Sequence, residues 1–409
     1  MRKMRVLGRS FLLLLVVFVL SGCSTGEPAE SAVVSMLKST LSEAMSESDT
    51  GDCPVEDEQE DLFLMTKVHP FAYDSLRLIE QEWYREIEQS LGNMEENTRL
   101  DVSLLAEGLS IEDIDFIFQC VMMDHPELFY VEGYTYTKYT RGEEIVAIEF
   151  NGTWNAKREE VLSKMAEIES AVMPLLEGAK DCTSDYERIK YVYETIIRNT
   201  EYGMDSPDNQ NIYSVFVDHV SVCQGYAKAA QFLLNRMGIE CTLVQGKVDT
   251  GEKHAWNLVK SDGSYYYMDC TWGDASYQTE DVLEDVGGKP EINYDYLCVN
   301  TELLCQTHTV DSVVSLPYCV DDRDNYYVRE GALFSEYDRE KMRHLFEHAM
   351  ESGKQHISLR CTDTACFDSI LRAMVEKQEV FDYIQDTEVK VAYSHNDQQL
   401  SMTFWVTND

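Results

Sequence analysis

The sequence predicts an α+β protein in which a helix that begins at a cysteine packs against an antiparallel sheet. Helical periodicity runs through 156–177, 184–199 and 221–237. Two strand-like runs, 254–260 and 265–269, then flank an Asp-Gly pair, which is a strong hairpin signal. Helices that precede a hairpin are typical of a helical layer packed on an antiparallel sheet.

The N-terminus has the pattern of a secretory leader. A basic segment precedes an apolar run from Phe11 to Leu20, which is too short to cross a bilayer as a permanent helix. The Leu-Ser-Gly-Cys segment that ends at Cys23 resembles the lipobox of bacterial lipoproteins. This resemblance implies lipid attachment at Cys23 and a mature chain anchored at the cell membrane, facing outside the cytoplasm. The alternative is an ordinary signal peptide with an incidental cysteine.

Changes in composition and periodicity divide the chain into five parts. An acidic, Ser-rich stretch is typical of a solvated tether, and helical periodicity followed by a strand pair comes next. The predicted parts are the signal peptide 1–22, the tether 23–61, a helical N-terminal region 62–155, a catalytic domain 156–309 and a small α+β C-terminal region 310–409. The last part carries no catalytic motif, so we expect it to serve binding or packing.

Composition indicates a globular protein with an acidic surface. Apolar residues make up 44% and aromatic residues 11% of 409 positions, which is enough to build two or three cores. The formal net charge is −40, and loss of the basic leader would make the mature chain more acidic still. Such a charge opposes binding to nucleic acid or to anionic wall polymers.

Cys223 lies in or just before the first turn of the helix predicted at 221–237, which Gly238 ends. The positive end of a helix stabilises a thiolate, and its unpaired N–H groups can hold a developing oxyanion. Gln224 follows the cysteine directly, so it is a candidate for the oxyanion site, although its side chain would point away from Cys223. The position therefore suits a thiol nucleophile.

The predicted hairpin brings a histidine and an aspartate together. A turn centred on Asp262-Gly263 sets a register in which Asp269 faces Trp256. His254 shares the face of Trp256 because side chains alternate along a strand, so His254 and Asp269 become diagonal neighbours at about 7–8 Å. The carboxylate can then orient the imidazole, which leaves its other nitrogen for the proton of a thiol.

Three motifs in this order resemble the transglutaminase-like superfamily, in its bacterial branch related to papain-fold cysteine peptidases. They are Cys-Gln-Gly-Tyr-Ala-Lys-Ala at 223–229, His-Ala-Trp-Asn-Leu-Val at 254–259 and Tyr-Tyr-Tyr-Met-Asp-Cys-Thr-Trp-Gly-Asp at 265–274. The resemblance covers roughly residues 180 to 300 and implies a papain-like core. It implies Cys223 as nucleophile, His254 as base and Asp269 as the residue that orients the base. Cys270 departs from the motif and places a second thiol beside the site.

The resemblance implies acyl transfer from an amide through a thioester on Cys223, without a metal or cofactor. We expect a protein or peptide substrate, including cell-wall peptide, and favour a peptidase or amidase over a transglutaminase. The alternatives are a catalytically silent surface module that binds peptides or cell-wall stems, and a purely structural envelope protein. A resemblance alone does not separate these classes, because relatives can keep the fold after losing catalysis.

Other side chains receive less specific predictions. The resemblance places an upstream oxyanion donor near Tyr202. Trp256 and Trp272 flank the histidine and aspartate, where they either exclude water by packing or line a substrate cleft. Zinc binding at Cys361 and Cys366 is disfavoured because the fourth ligand and the usual spacing are missing.

Overall fold

The structure is a computed structural model that describes residues 2–8, 68–274, 292–354, 356–384 and 389–408. The predicted tether and the lipid attachment site Cys23 lie outside the described residues. Within these ranges, no helix has the length and apolar character needed to span a membrane. The leader, the lipid attachment and the location outside the cytoplasm therefore remain predictions.

The described residues contain helices from one turn to six turns long. They are α1 (Phe71–Ser75), α2 (Leu78–Gly92), α3 (Asp113–Asp124), α4 (Arg158–Gly178), α5 (Asp185–Asn199), α6 (Cys223–Arg236), α7 (Cys270–Gly273), α8 (Thr301–Leu304), α9 (Tyr326–Arg329), α10 (Arg339–Glu351) and α11 (Thr364–Leu371). Short 3₁₀ segments follow at Val102–Leu105 and Glu379–Tyr383, and π-helical turns at Ser214–Asp218 and Arg372–Glu376.

The strands of the described residues form three four-stranded sheets and one short pair. They are β1 (Arg2–Gly8), β2 (Thr98–Leu100), β3 (Val131–Arg141), β4 (Glu144–Trp154), β5 (Glu201–Tyr202), β6 (Val220–Ser221), β7 (Cys241–Val248), β8 (Lys253–Ser261), β9 (Ser264–Met268), β10 (His308–Val310), β11 (Leu333–Phe334), β12 (His356–Cys361), β13 (Val389–Asn396) and β14 (Ser401–Asn408). The α+β class predicted from the sequence is confirmed.

The N-terminal region packs α1, α2 and α3 beside an antiparallel sheet of order β1-β3-β4-β2. A buried polar network joins these helices: Asp124, the last residue of α3, accepts hydrogen bonds from the backbone N–H groups of Ala72 and Tyr73 and from the Tyr84 hydroxyl. His125 follows and contacts Glu127 at 2.8 Å. Because each buried charge has partners, the network holds the start of α1 against the end of α3.

The middle of the chain supplies helices α4, α5 and α6 and an antiparallel sheet of order β10-β7-β8-β9. Helix α6 packs across β7 and β8, and most of its side chains are buried because it lies at the centre of this region. Trp256, Val244 and Leu258 form the core on the sheet. This arrangement is the predicted helix on an antiparallel sheet.

The C-terminal region has its own core, built between a sheet of order β11-β12-β14-β13 and the helices α10 and α11. It is tied to the middle of the chain through Asp295, whose carboxylate accepts hydrogen bonds from the hydroxyls of Tyr327 and Ser401, both at 2.8 Å. Strand β10 crosses the predicted boundary at residue 309, so the sheet of the middle region extends into the predicted C-terminal part.

Candidate active site

Cys223 is the first residue of helix α6, with Val222 as an extended N-cap residue, and its side chain is partly exposed. The chain can turn tightly here because Gly225 has no side chain; a Cβ at that position would lie 2.0 Å from the Ser221 hydroxyl oxygen. The N–H groups of Cys223 and Gln224 open the helix, where no earlier turn supplies an acceptor. Thus the Cys223 thiol sits beside backbone donors at the positive end of a helix.

The β8–β9 hairpin has the predicted register, with Asn257 opposite Met268 and Ser261 opposite Ser264. Asp262 and Gly263 form its turn with positive φ values of 45° and 84°. Such a turn follows the right-handed twist of the strands. Beyond Met268 the chain leaves the ladder, and Asp269 becomes the N-cap of α7.

His254 and Asp269 meet as predicted, although the ladder ends at Asn257 and Met268, one pair before the predicted pairing of Asp269 with Trp256. The Nε2 atom of His254 lies 2.7 Å from Oδ2 of Asp269, and both side chains are buried. His254 also forms a hydrogen bond with Cys223. Since Nε2 faces the aspartate, Nδ1 is the nitrogen left for the thiol. The structure therefore brings together the three side chains that the sequence assigned to catalysis.

Electrostatics favour an ion pair at this site. Burial opposes charge on His254, but the Asp269 charge and hydrogen bonds to Asp269 and Cys223 outweigh it and raise the pKa of His254. Burial likewise opposes ionisation of Asp269, yet the charge of His254 and hydrogen bonds from His254 and His308 hold the pKa of Asp269 below its usual range. An imidazolium held by a carboxylate is the form that stabilises a thiolate nucleophile.

A second histidine, absent from the sequence prediction, contacts the same carboxylate. The Nε2 atom of His308 lies 3.1 Å from Oδ2 of Asp269, and the ring is completely buried. The other oxygen, Oδ1, accepts the backbone N–H groups of Thr271 at 2.9 Å and Trp272 at 3.0 Å. His308 lies in the three-residue strand β10, which is too short to show periodicity in sequence.

Aromatic rings surround the two histidines. Trp256 is fully buried and stacks near His254, with ring centroids 5.9 Å apart. Trp272 remains partly exposed, and its ring centroid lies 6.1 Å from that of His254. Trp256 is thus placed for packing that excludes water, whereas Trp272 is placed where a substrate can reach it.

The candidate oxyanion residues lie near the nucleophile. Tyr202 pairs with Ser221 across β5 and β6, two residues before Cys223, and its ring lies 6.3 Å from that of Tyr226. Gln224 occupies the second position of α6 and is half-buried. Their role as donors stays a prediction. The neighbouring thiol of Cys270 is buried, and burial raises the pKa of Cys270 well above its ordinary value, which makes it unreactive.

Among the described residues, the one set with the composition of a metal site is His254, Asp269 and His308, whose ligand atoms lie within 4.8 Å of one another. The separations of 2.7 and 3.1 Å are those of hydrogen bonds. They are shorter than the roughly 3.3 Å between ligand atoms that a tetrahedral ion with bonds of about 2.0 Å requires. The set therefore fits hydrogen bonding better than an ion.

The sequence model of the transglutaminase-like superfamily matches residues 175–270. Residues 175–270 form a transglutaminase-like domain. The match covers α5, α6 and the β8–β9 hairpin, so it includes Cys223, His254 and Asp269. Combined with the geometry, it marks the site as that of a thiol enzyme of the papain type. Such an arrangement can move an acyl group onto sulfur and then to an acceptor.

Individual proteins that resemble this chain match only part of it. The kyphoscoliosis peptidase of Mus musculus is 24% identical over an alignment of 116 residues, and the match covers 24% of this chain and 18% of the mouse protein. A solved structure of a TGase has a TM-score of 0.26 at 16% identity and covers 35% of this chain and 46% of that one. A candidate cysteine protease from Cytophaga hutchinsonii has a TM-score of 0.19 at 13% identity, over 34% of this chain and 62% of that one. The chain thus spans less than two thirds of each of these proteins.

Proposed function

We propose that this protein hydrolyses amide bonds in peptides through a thioester on Cys223, as a lipid-anchored enzyme outside the cytoplasm. The observation that carries the catalytic part is the contact of His254 with both Cys223 and Asp269, with Cys223 at a helix N-terminus. Cys223 supplies the nucleophile, His254 moves the proton, and Asp269 holds His254 in orientation. This division of roles is what nucleophilic acyl transfer requires.

The proposed reaction has two steps. The sulfur of Cys223 attacks the amide carbon, and the new oxyanion faces the N–H groups that open α6, with Tyr202 as a further donor. The tetrahedral intermediate collapses, the C–N bond breaks, and His254 gives its proton to the departing amine. Water then loses a proton to His254 and attacks the thioester, the C–S bond breaks, and the carboxylic acid and the Cys223 thiolate are released beside the protonated His254.

We favour water over an amine as acceptor because hydrolysis needs no second binding site, and His254 can take the proton of water without further groups. Acidic residues far outnumber basic ones, 74 to 34, so neutral or basic peptides are the favoured substrates. The proposed substrates include cell-wall stem peptides that are neutral or basic near the cleaved bond. An amine acceptor would instead give a transamidation product from the same thioester.

Product analysis in ¹⁸O-labelled water tests this function. The full-length chain is incubated in detergent with neutral and basic peptides of known sequence, with and without methylamine. Hydrolysis adds one ¹⁸O atom to a new carboxylate, whereas transamidation gives a methylamide. Both products should be lost in Cys223→Ala. Peptides that remain intact with the wild-type chain but bind it would contradict the enzyme and favour a peptide-binding module.

The location rests on the leader and the Leu-Ser-Gly-Cys segment, so it has its own test. In a bacterial host, the wild-type chain should sediment with membranes and carry a lipid-modified peptide that begins at Cys23. Cys23→Ser should release the chain from that fraction. A wild-type chain that is recovered without lipid, or a variant that stays on the membrane, would contradict anchoring through Cys23.

A further inference from the structure

The carboxylate of Asp269 is shared by two imidazole rings, although the three sequence motifs supply one. His308 reaches Oδ2 of Asp269 at 3.1 Å and His254 reaches the same oxygen at 2.7 Å. Oδ1 is occupied by two backbone N–H groups of α7. The carboxylate therefore accepts four hydrogen bonds, and His308 supplies one of the two on the oxygen that faces the catalytic base.

The second nitrogen of His308 shows which way its protons point. Nδ1 lies 2.8 Å from the hydroxyl of Thr307, which is 3.4 Å from its other acceptor, the Leu304 carbonyl. The shorter contact indicates that the Thr307 hydroxyl donates a hydrogen bond to Nδ1, and the Tyr296 hydroxyl at 3.3 Å can donate to the Thr307 oxygen. Nε2–H of His308 is then the donor to Asp269.

The sheet register explains why His308 and His254 share a face. Gly246 of β7 pairs with His254 on one side and with Val310 on the other. His308 lies two residues from Val310, so its side chain is on the same face as that of His254. Strand β10 approaches closely because Gly246 has no side chain; a Cβ there would lie 2.1 Å from the Thr309 carbonyl oxygen.

Packing leaves the His308 ring little freedom. Its centroid lies 4.7 Å from that of Trp272, 4.9 Å from Trp256 and 5.5 Å from Tyr296. The C-terminal region also holds this segment: Gln398 donates to the Gln306 carbonyl at 2.8 Å, beside Thr307. A ring fixed on three sides can orient a carboxylate in a way that a mobile group or water cannot.

We propose that His308 is a positioning residue that fixes the Asp269 carboxylate and thereby keeps His254 aimed at Cys223. This inference rests on the proposed function and adds a fourth side chain to the site. This proposal also gives the C-terminal region a role in positioning His308, because the turn at 396–401 in that region supports the segment that leads into β10. His308 acts through Asp269 and does not touch the reacting atoms.

Two substitutions of similar size separate this role from simple packing. His308→Gln keeps an N–H donor near the position of Nε2, whereas His308→Leu fills the space without a donor. We expect kcat to fall about tenfold or more in His308→Leu with KM nearly unchanged, and to recover most of the way in His308→Gln. Thr307→Val, which keeps the ring but loses the hydroxyl that orients it, should give an intermediate kcat.

A spectroscopic readout makes the test independent of turnover. In ¹⁵N-histidine-labelled full-length protein, the proton between His254 and Asp269 should give a downfield resonance that His308→Gln retains and His308→Leu loses or shifts upfield. Thermal unfolding of each variant controls for folding. An unchanged resonance and kcat in folded His308→Leu would overturn the proposal, as would equal losses in both variants. If the wild-type chain cleaves no peptide, the resonance alone decides for or against His308.

Discussion

Asp269→Asn is the substitution that probes the site most sharply. An amide at this position keeps the shape and one oxygen acceptor for the N–H groups of α7. It removes the charge and turns an NH₂ group toward the Nε2 atoms of His254 and His308. His254 then loses the partner, 2.7 Å away, that selects its tautomer and stabilises its charged form.

The expected loss can be estimated from that contact. A hydrogen bond to a charged group contributes about 1.5–3 kcal/mol, and about 1.4 kcal/mol corresponds to a factor of ten in rate. Loss of the bond alone lowers kcat/KM about 10- to 150-fold, and a histidine in the wrong tautomer adds to this. We expect a decrease of about 10²-fold or more in peptide cleavage.

The pH dependence provides a second readout with a defined sign. Because the Asp269 charge raises the pKa of His254, its removal leaves burial as the dominant influence and lowers that pKa. The imidazolium is then lost at lower pH, so the alkaline limit of activity should move toward neutral pH. The assay measures kcat/KM and the rate of Cys223 alkylation across about pH 5 to 9.

Asp124→Asn is the matched control, since Asp124 is also buried and also accepts backbone N–H groups, but it contacts Tyr84 instead of His254. It should lower thermal stability and leave the pH profile in place. The reasoning is refuted if Asp269→Asn keeps kcat/KM within about threefold of wild type with an unshifted profile. It is equally refuted if Asp124→Asn reproduces the Asp269→Asn profile.

Three further outcomes follow from the structure. Gly246→Ala should lower both thermal stability and kcat, because its Cβ would meet the Thr309 carbonyl and displace β10; a Gly251→Ala control, where no atom lies within 4 Å, tests strain at positive φ alone. Cys270 should stay unmodified by iodoacetamide until the chain unfolds, while the exposed Cys305 reacts at once; early labelling of Cys270 would contradict its burial. For His125, burial opposes charge but Glu127 and Glu88 outweigh it and raise its pKa to about 10, so its stabilisation is complete below about pH 6.5 and is lost as pH rises toward 10. The unfolding free energy of wild type minus that of His125→Gln should therefore shrink over that range, and a constant difference would contradict the ion pairs.

The parts of the fold that the sequence predicted are those with local signals. Helix α6 has a regular apolar face and a glycine stop, and the β8–β9 hairpin has an Asp-Gly turn that sets its register. That register brings Asp269, the first residue past the ladder, close to His254. These features depend on neighbours within about twenty residues, which a sequence pattern can express.

The sequence did not predict contacts between strands that are far apart along the chain. Strand β7 opens with buried residues on both faces, so its sequence does not alternate between apolar and polar residues. For this reason the sequence analysis predicts no strand there. Strand β10 has three residues and reaches its place only by pairing with β7. His308 was missed for this reason, since its distance from Asp269 depends on a pairing between segments about sixty residues apart, and no local motif marks it.

The central claim is that Cys223 and His254 form a thiolate–imidazolium pair, and the pH dependence of Cys223 alkylation tests it most directly. In the full-length chain, the rate of iodoacetamide labelling at the Cys223 peptide is followed by mass spectrometry, with exposed Cys305 as internal reference. The account predicts that Cys223 labelling reaches a plateau well below the pH of about 8.5 that is typical of free thiols, and that His254→Ala abolishes this plateau. A Cys223 thiol that reacts in parallel with Cys305, or whose profile is the same in His254→Ala, would contradict the account.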